Sequence, residues 1–154
     1  MSVAFTLDVR SHAIPAMAGL ASGAVRGEVR ELPYRGWAVT RISLDWQFRL
    51  LLAPDDPRSE AAEIIVEAEF EYVASDGSAH RLSPGPPQEN LAPALGMHAQ
   101  TVASCTASAD GHLAVSFEDG SQLHVSPTLK YDAWEICGPV GMLCGAGGGK
   151  PWPD

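Results

Sequence analysis

Positive charge is scarce in this chain: ten Lys plus Arg stand against nineteen Asp plus Glu, for a net charge of -9. A surface with so few cations cannot release counterions from a phosphate backbone, so neither nucleic acid nor an anionic membrane surface is expected as a partner. Long apolar runs are missing as well. The longest, Leu50 to Ala53, is four residues, against the roughly 20 that a membrane-spanning helix requires.

Cysteine is sparse and odd in number, with Cys105, Cys137 and Cys144. Their spacing fits no zinc knuckle and no histidine stands beside them, so no metal is expected and the thiols read as free and buried. A bond between Cys137 and Cys144 would require export. Met1 to Asp8 carry no basic leader, and Asp8 and Arg10 interrupt any signal-like apolar stretch, which points to a cytoplasmic protein.

Catalytic signatures are lacking too. The chain has no Gly-x-Ser-x-Gly elbow and no His-Glu-x-x-His pair. The glycines preceding Lys150 fail as a phosphate loop, because Cys144 stands where the first glycine belongs and Pro151 where a Ser or Thr would hold magnesium. No cofactor is expected, and enzymatic activity has no support.

What is present is alternation. From Arg41, the residues Ile42, Leu44, Trp46, Phe48, Leu50 and Leu52 alternate with mostly polar ones, and Ile64, Val66, Ala68, Phe70 and Tyr72 alternate with Glu63, Ile65, Glu67, Glu69 and Glu71. Period two is the mark of a strand with one buried face, so 41–52 and 63–72 read as two strands of one antiparallel sheet.

Three tripeptides, Ser75-Asp76-Gly77, Ala109-Asp110-Gly111 and Glu118-Asp119-Gly120, share one turn chemistry. Each suits a three-residue hairpin loop with a left-handed glycine at its last position. That loop length sets Phe70 opposite Leu82, Glu71 opposite Arg81, Cys105 opposite Val115, Val115 opposite Leu123 and Leu113 opposite Val125. A two-residue loop would place Phe117 against Gln122 and mix the faces.

The expected fold is mainly β: a twisted antiparallel sheet forming a small barrel or a two-layer sandwich, with at most one short helix. Residues 1–35 form an N-terminal extension packing on the domain, with 14–31 the place for that helix. Residues 36–154 are the domain, built of similar halves at 36–83 and 96–137, with strands following Gly36 and Gly96 and a Pro-rich linker at 84–93 between the halves. From Gly138 onward the chain is Gly-rich and reads as loop.

Asp110 to Gly120, Tyr131-Asp132-Ala133-Trp134 and the tail Gly147-Gly148-Gly149-Lys150-Pro151-Trp152 resemble a family of small uncharacterised actinobacterial proteins. The resemblance covers roughly the last 120 residues of the chain. It implies a compact, β-rich cytoplasmic domain without assigned activity, in some members found in settings that suggest toxin immunity. A binder is implied more than a catalyst.

The residues suggest where binding would occur. Glu63, Glu67, Glu69 and Glu71 line one strand face with Ile65 among them and Leu51 beside them, and charges ringing apolar groups mark many interfaces. The expected function is therefore a non-enzymatic protein-binding module of immunity type, neutralising a basic toxin or nuclease through that acidic face. Arg49 and Arg81 on neighbouring strands offer the plainer alternative of a solvated, partly paired face.

A small-molecule barrel or minor enzyme is the competing reading, with a pocket between the halves lined by Trp46, Phe48, Tyr72 and Trp134. Trp134, beside Ile136, also reads simply as core. His112 and His124 are expected as solvent-exposed diagonal neighbours without a third metal ligand. Self-association as a homodimer is left open.

Overall fold

The structure, a computed structural model, describes residues 28–139 and 141–145. Its strands form two antiparallel sheets. The six-stranded sheet runs, in spatial order, β1 (Val29–Glu31), β7 (Val102–Ser108), β8 (Leu113–Phe117), β9 (Gln122–Val125), β5 (Phe70–Val73) and β6 (Ala79–Leu82). The five-stranded sheet runs β11 (Gly141–Gly145), β10 (Trp134–Gly138), β4 (Ala62–Val66), β3 (Phe48–Ala53) and β2 (Ala38–Leu44). They stack as the two-layer sandwich, not as a closed barrel, because each sheet keeps two free ends in its strand order.

The core lies between the layers and is built by alternation. Phe48, Leu50, Leu52, Ile64, Val66, Trp134 and Ile136 project from one sheet, and Phe70, Tyr72, Cys105, Leu113, Val115, Leu123 and Val125 from the other, all of them buried. Phe48 and Phe70 stack across the layers with ring centroids 4.9 Å apart. The Trp134 indole N–H donates to Gly111 O at 2.8 Å, tying β10 to the β7–β8 loop of the opposite sheet.

All three Asp-Gly loops are three residues long, and the five pairings expected from them are present. Gly77, Gly111 and Gly120 have φ of 91°, 98° and 91°. The N–H of each donates back three residues, to Ala74, Ser108 and Phe117 respectively.

Two expected strands are broken. Residues 41–52 are a hairpin: Leu44 pairs with Phe48 and Ile42 with Leu50, around a turn in which the Gln47 N–H donates to Asp45 Oδ1 at 2.7 Å. A three-residue loop preserves the parity of alternation, so the pattern runs through the turn unmarked. Residues 63–72 do keep one buried and one outward side, but they change sheet at 67–69 between β4 and β5. The Glu67 and Ala68 N–H groups both donate to Ala133 O there, at 2.9 and 3.3 Å.

The Pro-rich linker holds a 3-10 helix, Gln88–Met97. Leu91, Ala94 and Met97 are its buried residues, and a spacing of three is the repeat of that helix. Of the N-terminal extension, Leu32 and Tyr34 are buried in the core and β1 pairs with β7, so the end of the stretch expected as helix is a strand. Residues 1–27, including most of that stretch, and the tail from residue 146 with Trp152 lie outside the described residues.

The strand order repeats itself. The meander β2-β3-β4 sits in one sheet and the hairpin β5-β6 that follows it crosses to the other; the meander β7-β8-β9 and the hairpin β10-β11 do the same in reverse. A register irregularity falls between Val39 and Arg41 in the first meander and between Val102 and Ser104 in the second. The crossings differ in length. Residues 67–69 make the first and residues 126–133 the second.

Candidate functional site

A cleft of about 410 Å³ opens on the outer face of the six-stranded sheet. Register builds its floor. Arg81, Glu71, His124, Ala114 and Thr106 are successive cross-strand partners on β6, β5, β9, β8 and β7, forming one outward row. His112, Ser108 and Val29 lie on the next row, two residues along β8, β7 and β1, about 7 Å away. Ala114, Thr106 and Ser108 are short, so the middle of the floor is low between taller neighbours.

The bank is the crossing at 126–133, which contributes Ser126, Pro127, Thr128 and Tyr131 to the lining. Its shape is fixed locally: the Thr128 hydroxyl donates to Tyr131 O at 2.9 Å. Leu129 and Tyr131 on this bank are 92% and 49% exposed, and Val29 on the facing side is 54% exposed. Apolar groups left in water around a hollow favour an interface.

Charge in the cleft is arranged in pairs. Arg81 Nη1 donates to Glu69 Oε1 at 2.9 Å, and that bond, with the charges of Glu69 and Glu71, holds the guanidinium more firmly protonated than usual. Asp110 Oδ1 accepts from the Ser108 hydroxyl and lies 3.0 Å from His112 Nδ1. The serine reaches the carboxylate and not the imidazole, so this is a braced hairpin loop and not a nucleophile-base-acid relay.

His124 is the most perturbed group here. Burial pushes its pKa down to about 4, with the neighbouring His112 charge acting in the same direction, and its Nε2 lies 2.8 Å from Gln122 Oε1. It is a neutral imidazole at pH 7. The expectation of two solvent-exposed histidines is corrected: both are partly buried and line the cleft.

The acidic face is divided by the sheet change. Glu69 and Glu71 line the cleft, whereas Leu51, Glu63 and Ile65 lie on the outer face of the five-stranded sheet and Glu67 sits at the crossing. Arg49 approaches Glu63 at 3.8 Å. The four pocket candidates are not brought together around a hollow. Phe48, Tyr72 and Trp134 are buried in the filled core, while Trp46 stands at the β2–β3 turn, 79% exposed, with Gly85 beside its ring.

Sequence reasoning missed Thr106, Ser108, Ala114 and Tyr131. The available signal was the run of small residues at outward positions of two adjacent strands, β7 and β8. Burial drives the Cys105 thiol up to about 12, which removes it as a nucleophile. Cys137 pairs in register with Met142, and Cys144 with Glu135. Among the described residues, no group of three His, Cys, Asp or Glu side chains could hold a metal, and no helix is long and apolar enough to cross a membrane.

No curated protein and no solved structure matches the chain. Residues 30–152 match DUF6188, a family of unknown function, and the chain belongs to that family.

Proposed function

We propose that this member of a family of unknown function is a non-enzymatic, cytoplasmic protein-binding module, and that its binding site is the cleft on the six-stranded sheet. The observation that carries the reading is the meeting, in one hollow, of the Glu71 carboxylate beside the Glu69–Arg81 pair with exposed apolar lips at Val29 and Tyr131. The partner is a basic protein that inserts a long cationic side chain: its aliphatic stem lies against the lips, and its head reaches Glu71 beside the neutral His124. An immunity-type role, neutralising a basic toxin or nuclease, suits this chemistry and the chain's net charge of -9.

The test is an NMR titration of the full chain with a short Arg/Lys-rich peptide and with an acidic peptide of equal length. The basic peptide is expected to shift the amides of Thr106, Ala114 and His124, and Glu71→Lys to abolish those shifts. Equal response to both peptides, or none, defeats the reading.

A second reading, a small-molecule site, is favoured by the volume alone, since about 410 Å³ falls within the usual range for ligand pockets. It predicts that a low-molecular-weight compound, and no peptide, moves the same amides.

A further inference from the structure

The outer face of the five-stranded sheet carries the other half of the acidic run. Two rows cross it. Arg41, Leu51, Glu63 and Cys137 are successive partners on β2, β3, β4 and β10, and Ser43, Arg49, Ile65 and Glu135 form the next row. Cations therefore stand on β2 and β3, anions on β4 and β10, and the half-buried Leu51 and Ile65 lie between them.

Arg49 is poorly satisfied for so covered a guanidinium. Its Nη2 donates to Gln47 Oε1, its Nη1 lies 3.8 Å from Glu63, and its Nε is buried with no hydrogen-bond partner. A guanidinium carries five N–H donors, so this one retains capacity for a second carboxylate.

From this charge pattern we infer that the face docks a second copy of the chain, with the twofold axis running along β4. In an aligned face-to-face contact between two sheets, the twofold axis runs either across the strands or along them. Across the strands, it sets β3 on β3 and puts Arg49 on the side of its own copy, which repels. Along β4, the order reverses and β3 lies over β10 of the second copy.

Arg49 then faces the second copy's Glu135, twice by symmetry; Leu51 faces the second copy's Cys137; and Ile65 meets itself at the axis. Glu63 also lies on the axial strand and so meets its own copy, a like-charge contact offset by Arg49 of its own chain at 3.8 Å. Such an isologous contact closes on itself and leaves no surface for further growth. The charges select the orientation, and the apolar pair at the centre supplies the burial. The surface is independent of the cleft, which opens on the opposite layer.

Sedimentation equilibrium of the full chain, from micromolar to millimolar concentration and at low and high salt, tests the inference. A reversible monomer-dimer equilibrium weakened by salt is expected. Glu135→Arg sets like charges against the second copy's Arg49 and should weaken the dimer about tenfold or more. Arg49→Glu should do the same, and mixing the two variants should restore a dimer containing one chain of each.

Because Arg49→Glu also strips Glu63 of its own-chain partner, Ile65→Lys provides a second probe, in which each copy repels the other at the axis. A chain that stays monomeric at millimolar concentration, or a dimer indifferent to both Glu135→Arg and Ile65→Lys, overturns the inference.

Discussion

Ala38 and Thr101 pair with each other as an isolated antiparallel bridge, and they occupy the same place in the two repeated meanders. The hydrogen bonds around them come in matched sets. Gly36 N–H donates to Val102 O at 2.8 Å and Ala99 N–H to Val39 O at 2.9 Å; Val102 N–H donates to Trp37 O and Val39 N–H to Gln100 O, at 2.8 and 2.9 Å. Each bond becomes its counterpart when the chain is shifted by 63 positions, the separation of Ala38 and Thr101. A local twofold axis therefore passes through this bridge, and the two layers are joined at it.

This axis makes Ala99 the counterpart of Gly36, and both lie in the left-handed region, at φ 68° and 87°. Alanine is strained there by roughly 1–2 kcal/mol, and glycine is not. Ala99→Gly should stabilise the protein by about 0.5–1 kcal/mol once the greater freedom of glycine in the unfolded chain is deducted. Gly36→Ala, whose new methyl would meet nothing within 4 Å, should cost about 1 kcal/mol from the backbone alone. Denaturant midpoints at constant m-value measure both, and a loss of stability in Ala99→Gly would contradict the equivalence.

Trp46 and Phe48 are two residues apart and should behave as opposites. Trp46→Ala, at an exposed turn, should change stability by no more than about 0.5 kcal/mol. Phe48→Ala empties a site stacked on Phe70 and should cost roughly 3–5 kcal/mol. Equal costs in thermal unfolding would restore the single strand that the alternation suggests.

Trp134→Phe removes a buried donor and leaves Gly111 O without it, while also shrinking a fully buried side chain. About 2–4 kcal/mol should be lost. Amide exchange gives the more specific check: protection should fall in the β7–β8 loop, on the opposite layer from the substitution, as well as in β10.

Acid should weaken the fold through His124. Its pKa is about 4 in the folded protein against an ordinary 6.5, so between those values the unfolded chain takes up a proton that the folded one refuses. Stability is full above pH 6.5 and falls as the pH drops towards 4, by on the order of 1–3 kcal/mol given the partial exposure of the ring. His124→Gln should flatten that part of the profile. Asp76, held below its usual range chiefly by its hydrogen bonds from Ser78, loses its contribution at lower pH in both proteins and cancels in the comparison.

Local chemistry was legible in the sequence wherever one residue type admits one geometry. Gly77, Gly111 and Gly120 determined loop length, and loop length determined register within the β5–β6 hairpin and along β7, β8 and β9. The turn at Asp45 was hidden because it contains no glycine and keeps parity. The crossing at Ala68 was hidden because a strand that changes sheets keeps the same side buried. The 3-10 helix was masked by the prolines around it, although Leu91, Ala94 and Met97 carry its spacing.

The cleft was the least readable feature. It exists because Glu71, His124, Ala114 and Thr106 belong to four strands that only the tertiary pairing brings into one row. The neutral state of His124 likewise rests on tertiary burial of its ring, which no local pattern around it marks.

The unequal crossings carry one more consequence. Residues 67–69 make a short crossing between layers, whereas 126–133 spend extra chain on the same journey, and the surplus is the parapet of the cleft that His124 lines. A protein with two matching linkers would present the same bare plane to water on either side. With unequal ones, this protein has a front and a back.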